Sequence, residues 1–407
     1  MRTSSPRPPR HRRRLLTAAL LAAGIGLVGS AAPVAAHPGH PPATAGYRLP
    51  APTGPERLGT VALHLVDTTR TDPWVPSQPV REIMVQLWYP AQRTHGHPVS
   101  PWLSPGAVPH FAEAFGLPAD AVRSTVTHAR EGAPVDRARG GRPVVLYSPG
   151  LGGDRGTSTA LVEELVSHGY VVATIDHTHD ASEVEFPDGR VEVGALPEID
   201  DEVIAQVAAV READTRFVLD QLAVLNAGRN PDAGGRRLPT GLRGALDLDR
   251  VGMFGHSLGG STAAATMHDD RRIKAGVNLD GTLVGDSATA GSDRPFLLLS
   301  SDHGTEPRDP SWDAFWANHT GYKRELSLTG SAHGSFNDGL LLYPQAAPAI
   351  GLPADVLAEL VGTLDPKRSL TVQRTYVRAF FDEHLRHGSG RLLRAPHPRY
   401  PEMQFVR

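Results

Sequence analysis

The chain has 407 residues, 40% of them hydrophobic and 21% charged, with 41 Lys+Arg against 44 Asp+Glu and a formal charge of −3. That balance excludes a disordered chain and supplies no basic surface for nucleic acid. Cysteine is absent, which rules out disulfides, thiolate metal ligands and a cysteine nucleophile.

Residues 1–36 have the anatomy of an export signal: a basic segment ending in Arg12, Arg13 and Arg14, an apolar run from Leu15, and small residues Val34, Ala35 and Ala36 before a cleavage point. The run RRRLL also fits a loose twin-arginine pattern, so the Sec and folded-export routes both stand. The rival reading is an uncleaved anchor, because the apolar stretch nears spanning length. Pro33 and the small-residue end favour cleavage. Removing this segment takes six arginines and no acids, leaving 35 basic against 44 acidic residues, a formal charge of −9. The expected destination is outside the cell.

Residues 37–57 are rich in Pro, Gly and Ala and read as a linker with no core of its own. Alternation in LGTVALHLVD (58–67) and REIMVQLWYP (81–90) predicts two antiparallel strands opening a sheet. The segment 100–122 contains a helical pattern that would serve either as a lid or as an ordinary surface helix. From residue 142 the rhythm changes. PVVLYS (143–148) and YVVATI (170–175) are compact apolar runs separated by a helical pattern over 157–169 that stops at Gly169. A long helix follows over 202–225. Further buried strands are predicted at 250–255, 274–279, 295–301 and 325–330. Apolar strands alternating with helices imply a mostly parallel, doubly wound α/β sheet, with residues 58–407 forming one catalytic domain.

Within that domain VGMFGHSLGG (251–260) runs from a buried strand into a helix crowded with Gly and Ala. A strand–turn–helix with Gly255 and Gly259 around a serine is the setting of a nucleophile elbow, so Ser257 is the expected nucleophile. The helix start behind it offers free N–H groups to a developing oxyanion. A serine hydroxyl needs a base. Of the late histidines His268, His303, His319, His333, His384 and His387, His333 is favoured because GSAHGSFND follows the strand ELSLTG at the sheet's carboxyl edge, where catalytic groups gather. The others read as surface or capping residues. The acid is Asp280, ending KAGVNL, or Asp302, ending PFLLLSS. Spacing alone leaves both open.

YSPGLGG, VSHGYVVATIDH, GHSLGGSTA, NLDG and GSAHGSFND, in this order, resemble the platelet-activating-factor acetylhydrolase family, from about residue 58 to the end. The resemblance implies an α/β-hydrolase fold and a serine esterase. It implies an acid after the earlier strand, hence Asp280, and an oxyanion hole formed by the backbone N–H groups of Leu151 and Leu258. Its substrates would be phospholipids with short or oxidised sn-2 acyl chains, with transient contact at a lipid surface and no protein partner. One departure is Pro149, where animal members of the family commonly carry His. A broad carboxylesterase, lipase or polyester hydrolase is the enzymatic alternative, and an inactive hydrolase scaffold kept for binding is the non-enzymatic one. DHTHD (176–180) holds two histidines one residue apart, but Ala181 and Ser182 follow where a di-metal motif needs donors. It reads as a polar loop, and no metal or cofactor is expected.

Overall fold

The structure is a computed structural model that describes residues 45–302, 304 and 308–407. The expected export signal, residues 37–44 of the expected linker and His303 lie outside the described residues. Two long strands, β1 (Arg57–Asp67) and β2 (Arg81–Ala91), pair antiparallel along their whole length, Arg57 opposite Ala91 and Asp67 opposite Arg81. The short β3 (Val99–Pro101) and β4 (Val126–Glu131) extend that edge, β4 lying parallel to β1. Then come β5 (Arg142–Ser148), β6 (Val171–Asp176), the small hairpin β7 (Glu183–Glu185) and β8 (Val191–Val193), β9 (Leu246–His256), β10 (Ile273–Leu279), β11 (Phe296–Ser300), β12 (Lys323–Leu328) and β13 (Met403–Phe405). Eleven of these form one sheet in the order β13-β12-β11-β10-β9-β5-β6-β2-β1-β4-β3. The block from β6 through β5, β9, β10 and β11 to β12 is parallel throughout.

The burial of that block follows from period-2 alternation with both faces covered. Val144 and Leu146 of β5 enter one apolar cluster with Leu222 and Leu225 of the helix Asp201–Asn226 and Ala263 of the helix Leu258–Asp269. Val145 and Tyr147, one residue out of phase, enter the other with Leu161 and Leu165 of the helix Thr159–Ser167 and Phe380 and Phe381 of the closing helix Pro366–Arg386. Local signals set the helix ends. Asp200 accepts the Val203 amide at 2.8 Å to start Asp201–Asn226, Asp365 accepts that of Arg368 at 2.8 Å ahead of Pro366, and Gly169 takes φ +93° just past the end of Thr159–Ser167.

Two stretches behave differently from their composition. The chain around 45–56 builds no core of its own, yet it is strapped to the domain. Tyr47 and Leu49 are buried, Thr53 donates to the Glu164 carboxylate at 2.6 and 2.8 Å, and Arg374 donates to the carbonyls of Pro50 and Ala51 at 2.9 and 3.0 Å. Segment 100–122 folds into β3 and the helices Val108–Phe115 and Ala119–Arg123. Its Trp102, Val108 and Phe111 bury against Leu340 and Leu341 of the helix Gly339–Ile350. Trp102 and Leu103 also wall a cavity of about 370 Å³ whose lining includes Asp154, Asp176 and Glu183 but not Ser257, Asp280 or His333. Among the described residues no helix is long and apolar enough to cross a membrane.

Candidate active site

The carboxyl ends of β5, β9 and β10 converge on Ser257. This residue sits between β9 and the helix Leu258–Asp269 with φ +55° and ψ −126°, a conformation that a side chain rarely adopts and that costs roughly 1–3 kcal/mol. Its neighbours hold it there: the Ser257 amide donates to the Leu279 carbonyl at 2.9 Å, and its carbonyl accepts from Gly260 at 2.9 Å. Close backbone approach explains the glycines. A Cβ on Gly259 would lie 2.0 Å from the Ser148 carbonyl oxygen, and one on Gly281 would lie 2.0 Å from that of Ser257.

Asp280 follows β10, also with positive φ (+56°). One carboxylate oxygen accepts from His333 Nδ1 at 2.7 Å, the other from the Ser301 amide at 2.6 Å, and the side chain is 7% exposed. An ionised carboxylate is acceptor-only, so His333 donates from Nδ1, which in the neutral imidazole leaves the lone pair on Nε2. His333 begins the 3₁₀ turn His333–Phe336 after β12, and its side chain is 36% exposed. Asp302 does different work. Its two oxygens accept from the amides of Gly304 and Gly330 at 3.0 and 2.8 Å, which closes an exposed turn. The structure therefore brings Asp280, and not Asp302, to His333.

His256 was not singled out by the sequence pattern, where it is only the variable position of Gly-x-Ser-x-Gly. Its Nε2 donates to the His333 carbonyl at 3.0 Å, its ring lies 4.6 Å from that of His333, and Asn337 donates to its Nδ1 at 3.4 Å. Burial, with the neighbouring His333 as a second cause, lowers its pKa to about 3, so it is neutral. A neutral donor of this kind ties the turn carrying His333 to the residue preceding Ser257.

Leu151 lies in the turn after β5, and Leu258 opens the helix behind Ser257. Neither amide donates to an acceptor among the described residues. Their side chains join a partly exposed apolar patch with Trp74, Leu196, Ile204 and Val284. The remaining described late histidines lie elsewhere. His268 pairs with the Gly291 carbonyl at 2.8 Å, His319 accepts the Ser292 amide at 3.1 Å, His384 packs on Tyr322 and Phe380, and His387 caps the closing helix.

DHTHD is consumed by a buried polar network. His177 pairs with Ser148 Oγ at 3.0 Å and with Asp214 at 3.1 Å; burial holds its pKa below the usual histidine range. Asp214 in turn takes Arg81 at 2.7 Å, and Arg81 reaches Asp72 at 2.7 Å with all three side chains fully buried. Asp176 binds Arg155, His179 Nδ1 meets the Val193 carbonyl at 3.1 Å, and Asp180 binds Arg211. Among the described residues no three His, Asp or Glu side chains converge as metal donors. Because its partners lie tens of residues away in Ser148, Asp214 and Arg211, this network leaves no local signal in the sequence.

A mostly parallel sheet clothed by helices on both faces, with a serine on a strained strand-to-helix elbow at its carboxyl edge, is the architecture of an α/β hydrolase. The sequence profile of the family described as platelet-activating factor acetylhydrolase, isoform II, matches residues 44–389, and the chain belongs to that family. It is 30% identical over 390 residues to a probable 1-alkyl-2-acetylglycerophosphocholine esterase of Arthroderma benhamiae, covering 88% of this chain and 94% of that one. It is 24% identical over 258 residues to the platelet-activating factor acetylhydrolase of Cavia porcellus, covering 60% of this chain and 57% of that one. Among solved structures, a ferulic acid esterase from Streptomyces cinnamoneus superposes with a TM-score of 0.77 at 37% identity, covering 89% of this chain and all of that one. The chain is thus an enzyme of the carboxylic ester hydrolase class.

Proposed function

We propose that the protein is an exported serine esterase that works through an acyl-enzyme. Ser257 Oγ attacks the ester carbonyl carbon while His333 Nε2 takes its proton. The tetrahedral oxyanion is held by the Leu151 and Leu258 amides. His333 returns the proton to the leaving alcohol, and water repeats the cycle to release the acid. Asp280 keeps the imidazole in the required tautomer and stabilises its charged form. The observation that carries this reading is the 2.7 Å contact from the buried Asp280 carboxylate to His333, together with a serine held at positive φ at the end of β9.

The substrate class we propose is phospholipid with a short or oxidised sn-2 acyl chain, supported by family membership and by the name of the Arthroderma relative. The apolar patch around Trp74 and Ile204 would meet the acyl group and touch a lipid surface transiently. The ferulic acid esterase neighbour, at 37% identity, favours a second reading in which aromatic-acid or other small esters are cleaved. Turnover of an sn-2 acetyl phospholipid, its long-chain counterpart and a feruloyl ester by one preparation separates the two. A serine-directed organophosphonate should label Ser257 once and abolish turnover; near-normal activity in Ser257→Ala would sink the mechanism. Export through residues 1–36 is checked by sequencing the amino terminus of protein recovered from the medium, expected at His37.

A further inference from the structure

Arg211 lies in the helix Asp201–Asn226, fully buried, and all three of its nitrogens are engaged. Nε donates to Asp180 Oδ2 at 2.5 Å and Nη2 to Asp180 Oδ1 at 2.7 Å. The outer edge of the guanidinium reaches the turn after β5, where Nη1 donates to the Pro149 carbonyl and Nη2 to the Gly150 carbonyl, the latter at 3.0 Å. Asp180 also accepts the Gly152 amide at 3.3 Å, and the Gly152 carbonyl accepts from Ser182 Oγ at 2.5 Å. We propose that Arg211, seated by Asp180, is a positioning residue for the oxyanion hole: it sets the direction of the Leu151 N–H.

Peptide geometry fixes this direction. In a trans peptide the carbonyl of one residue and the N–H of the next point in opposite directions within one plane. All peptide bonds of the described residues are trans. Turning the Gly150 carbonyl toward Arg211 therefore aims the Leu151 N–H away from Arg211. The same turn lies against the nucleophile, since a Cβ on Gly150 would sit 3.3 Å from Ser257 Cβ. The Gly153 amide also donates to the Gly150 carbonyl at 3.0 Å, but Pro-Gly-Leu-Gly-Gly supplies few side chains to hold this plane, and Gly152 at φ +74° adds freedom. A guanidinium fork fixes two successive carbonyls and a carboxylate at once, which a lysine ammonium cannot do in the same geometry. Hydrogen bonding at the Gly150 carbonyl also polarises its peptide and strengthens the Leu151 N–H as a donor. Asp180 of DHTHD thereby acquires a role through a partner 31 residues away.

The inference rests on the proposed reading that the Leu151 amide holds the oxyanion, and the test separates the two. The probe is a pair of substrates, a carboxylic ester and its thionoester with the same leaving group. Sulfur is the poorer acceptor, so the ratio of their kcat/KM values reports the oxyanion hole. Two variants are compared with the intact chain after thermal melts show them folded: Arg211→Lys, and the double change Arg211→Gln with Asp180→Asn, which leaves no uncompensated buried charge. We expect ester kcat to fall about 10- to 100-fold, less than the ~10²–10³ for outright loss of a donor, with KM within about threefold. The ester-to-thionoester ratio should collapse in parallel. If both substrates slow equally and the ratio stays at the unmodified value, Arg211 acts only through packing and the proposal is overturned. A ratio near one in the unmodified enzyme removes the oxyanion role of Leu151 and this inference with it. The organophosphonate result at Ser257 stands apart from either outcome.

Discussion

Asp280→Asn is the sharpest perturbation of the site, because the structure dictates how the new amide must sit. In the native arrangement Oδ1 accepts the Ser301 amide at 2.6 Å and Oδ2 accepts His333 Nδ1 at 2.7 Å. An asparagine has one acceptor oxygen and one donor nitrogen. The Ser301 N–H can only donate, so the amide oxygen is held on that side and the NH₂ group faces the imidazole. His333 is then driven to accept on Nδ1 and to carry its proton on Nε2, the nitrogen that must take the proton of Ser257. The equivalent change in the Ser-His-Asp triad of a serine protease costs ~10⁴-fold in kcat, or about 5.4 kcal/mol of transition-state stabilisation, and a loss on that scale is expected here. Asp302→Asn is the control. It forfeits one of two exposed turn contacts, about 0.5–1.5 kcal/mol of stability, and should change kcat by about tenfold at most. The assay is steady-state hydrolysis of a short-chain ester, with thermal melts to show both variants folded. If Asp302→Asn is the crippling change, or Asp280→Asn keeps more than about a tenth of native kcat, Asp280 does not set the tautomer of His333.

Glu183 is buried, with Asp154 and Asp176 as further causes, and its carboxyl is pushed up to about 10 from 4.5. The folded chain keeps a proton that the unfolded chain has lost above about 4.5, so this contribution is present at low pH and is lost as pH rises toward 10. Glu183→Gln should therefore melt increasingly above the unmodified protein between pH 6 and 9, and a gap that does not widen with pH refutes this. Ser257→Gly relieves the positive-φ strain and should raise stability by about 1 kcal/mol while abolishing turnover, as read by urea unfolding; a loss of stability would show that the elbow is unstrained. Activity should survive excess EDTA, because both ring nitrogens of His177 and the Nδ1 of His179 are taken by protein partners. A large loss restored by zinc would give DHTHD back a metal role.

What the sequence by itself determined was whatever repeats locally. The apolar runs at 143–148, 170–175 and 274–279 become β5, β6 and β10 because strands buried on both faces need continuous apolar side chains. The long helix expected at 202–225 is observed as Asp201–Asn226 because its cap and its pattern lie within its own turns. The elbow around Ser257 was legible for the same reason: strand, turn and small-residue helix are contiguous. Tertiary structure alone decided matters that join distant positions. Asp280 and Asp302 end neighbouring strands in similar phrases that spacing leaves open; the family resemblance pointed to Asp280, but the direction of each carboxylate, one toward His333 and the other into a turn with Gly330, is set by the fold. Residues 45–56 read as a free linker because Glu164 and Arg374, which hold them, lie more than a hundred residues away. His256, Arg211 and Asp180 are invisible to pattern because hydrogen bonds carry no periodicity. A buried polar group needs a partner only in space, and the fold alone chooses which part of the chain supplies it.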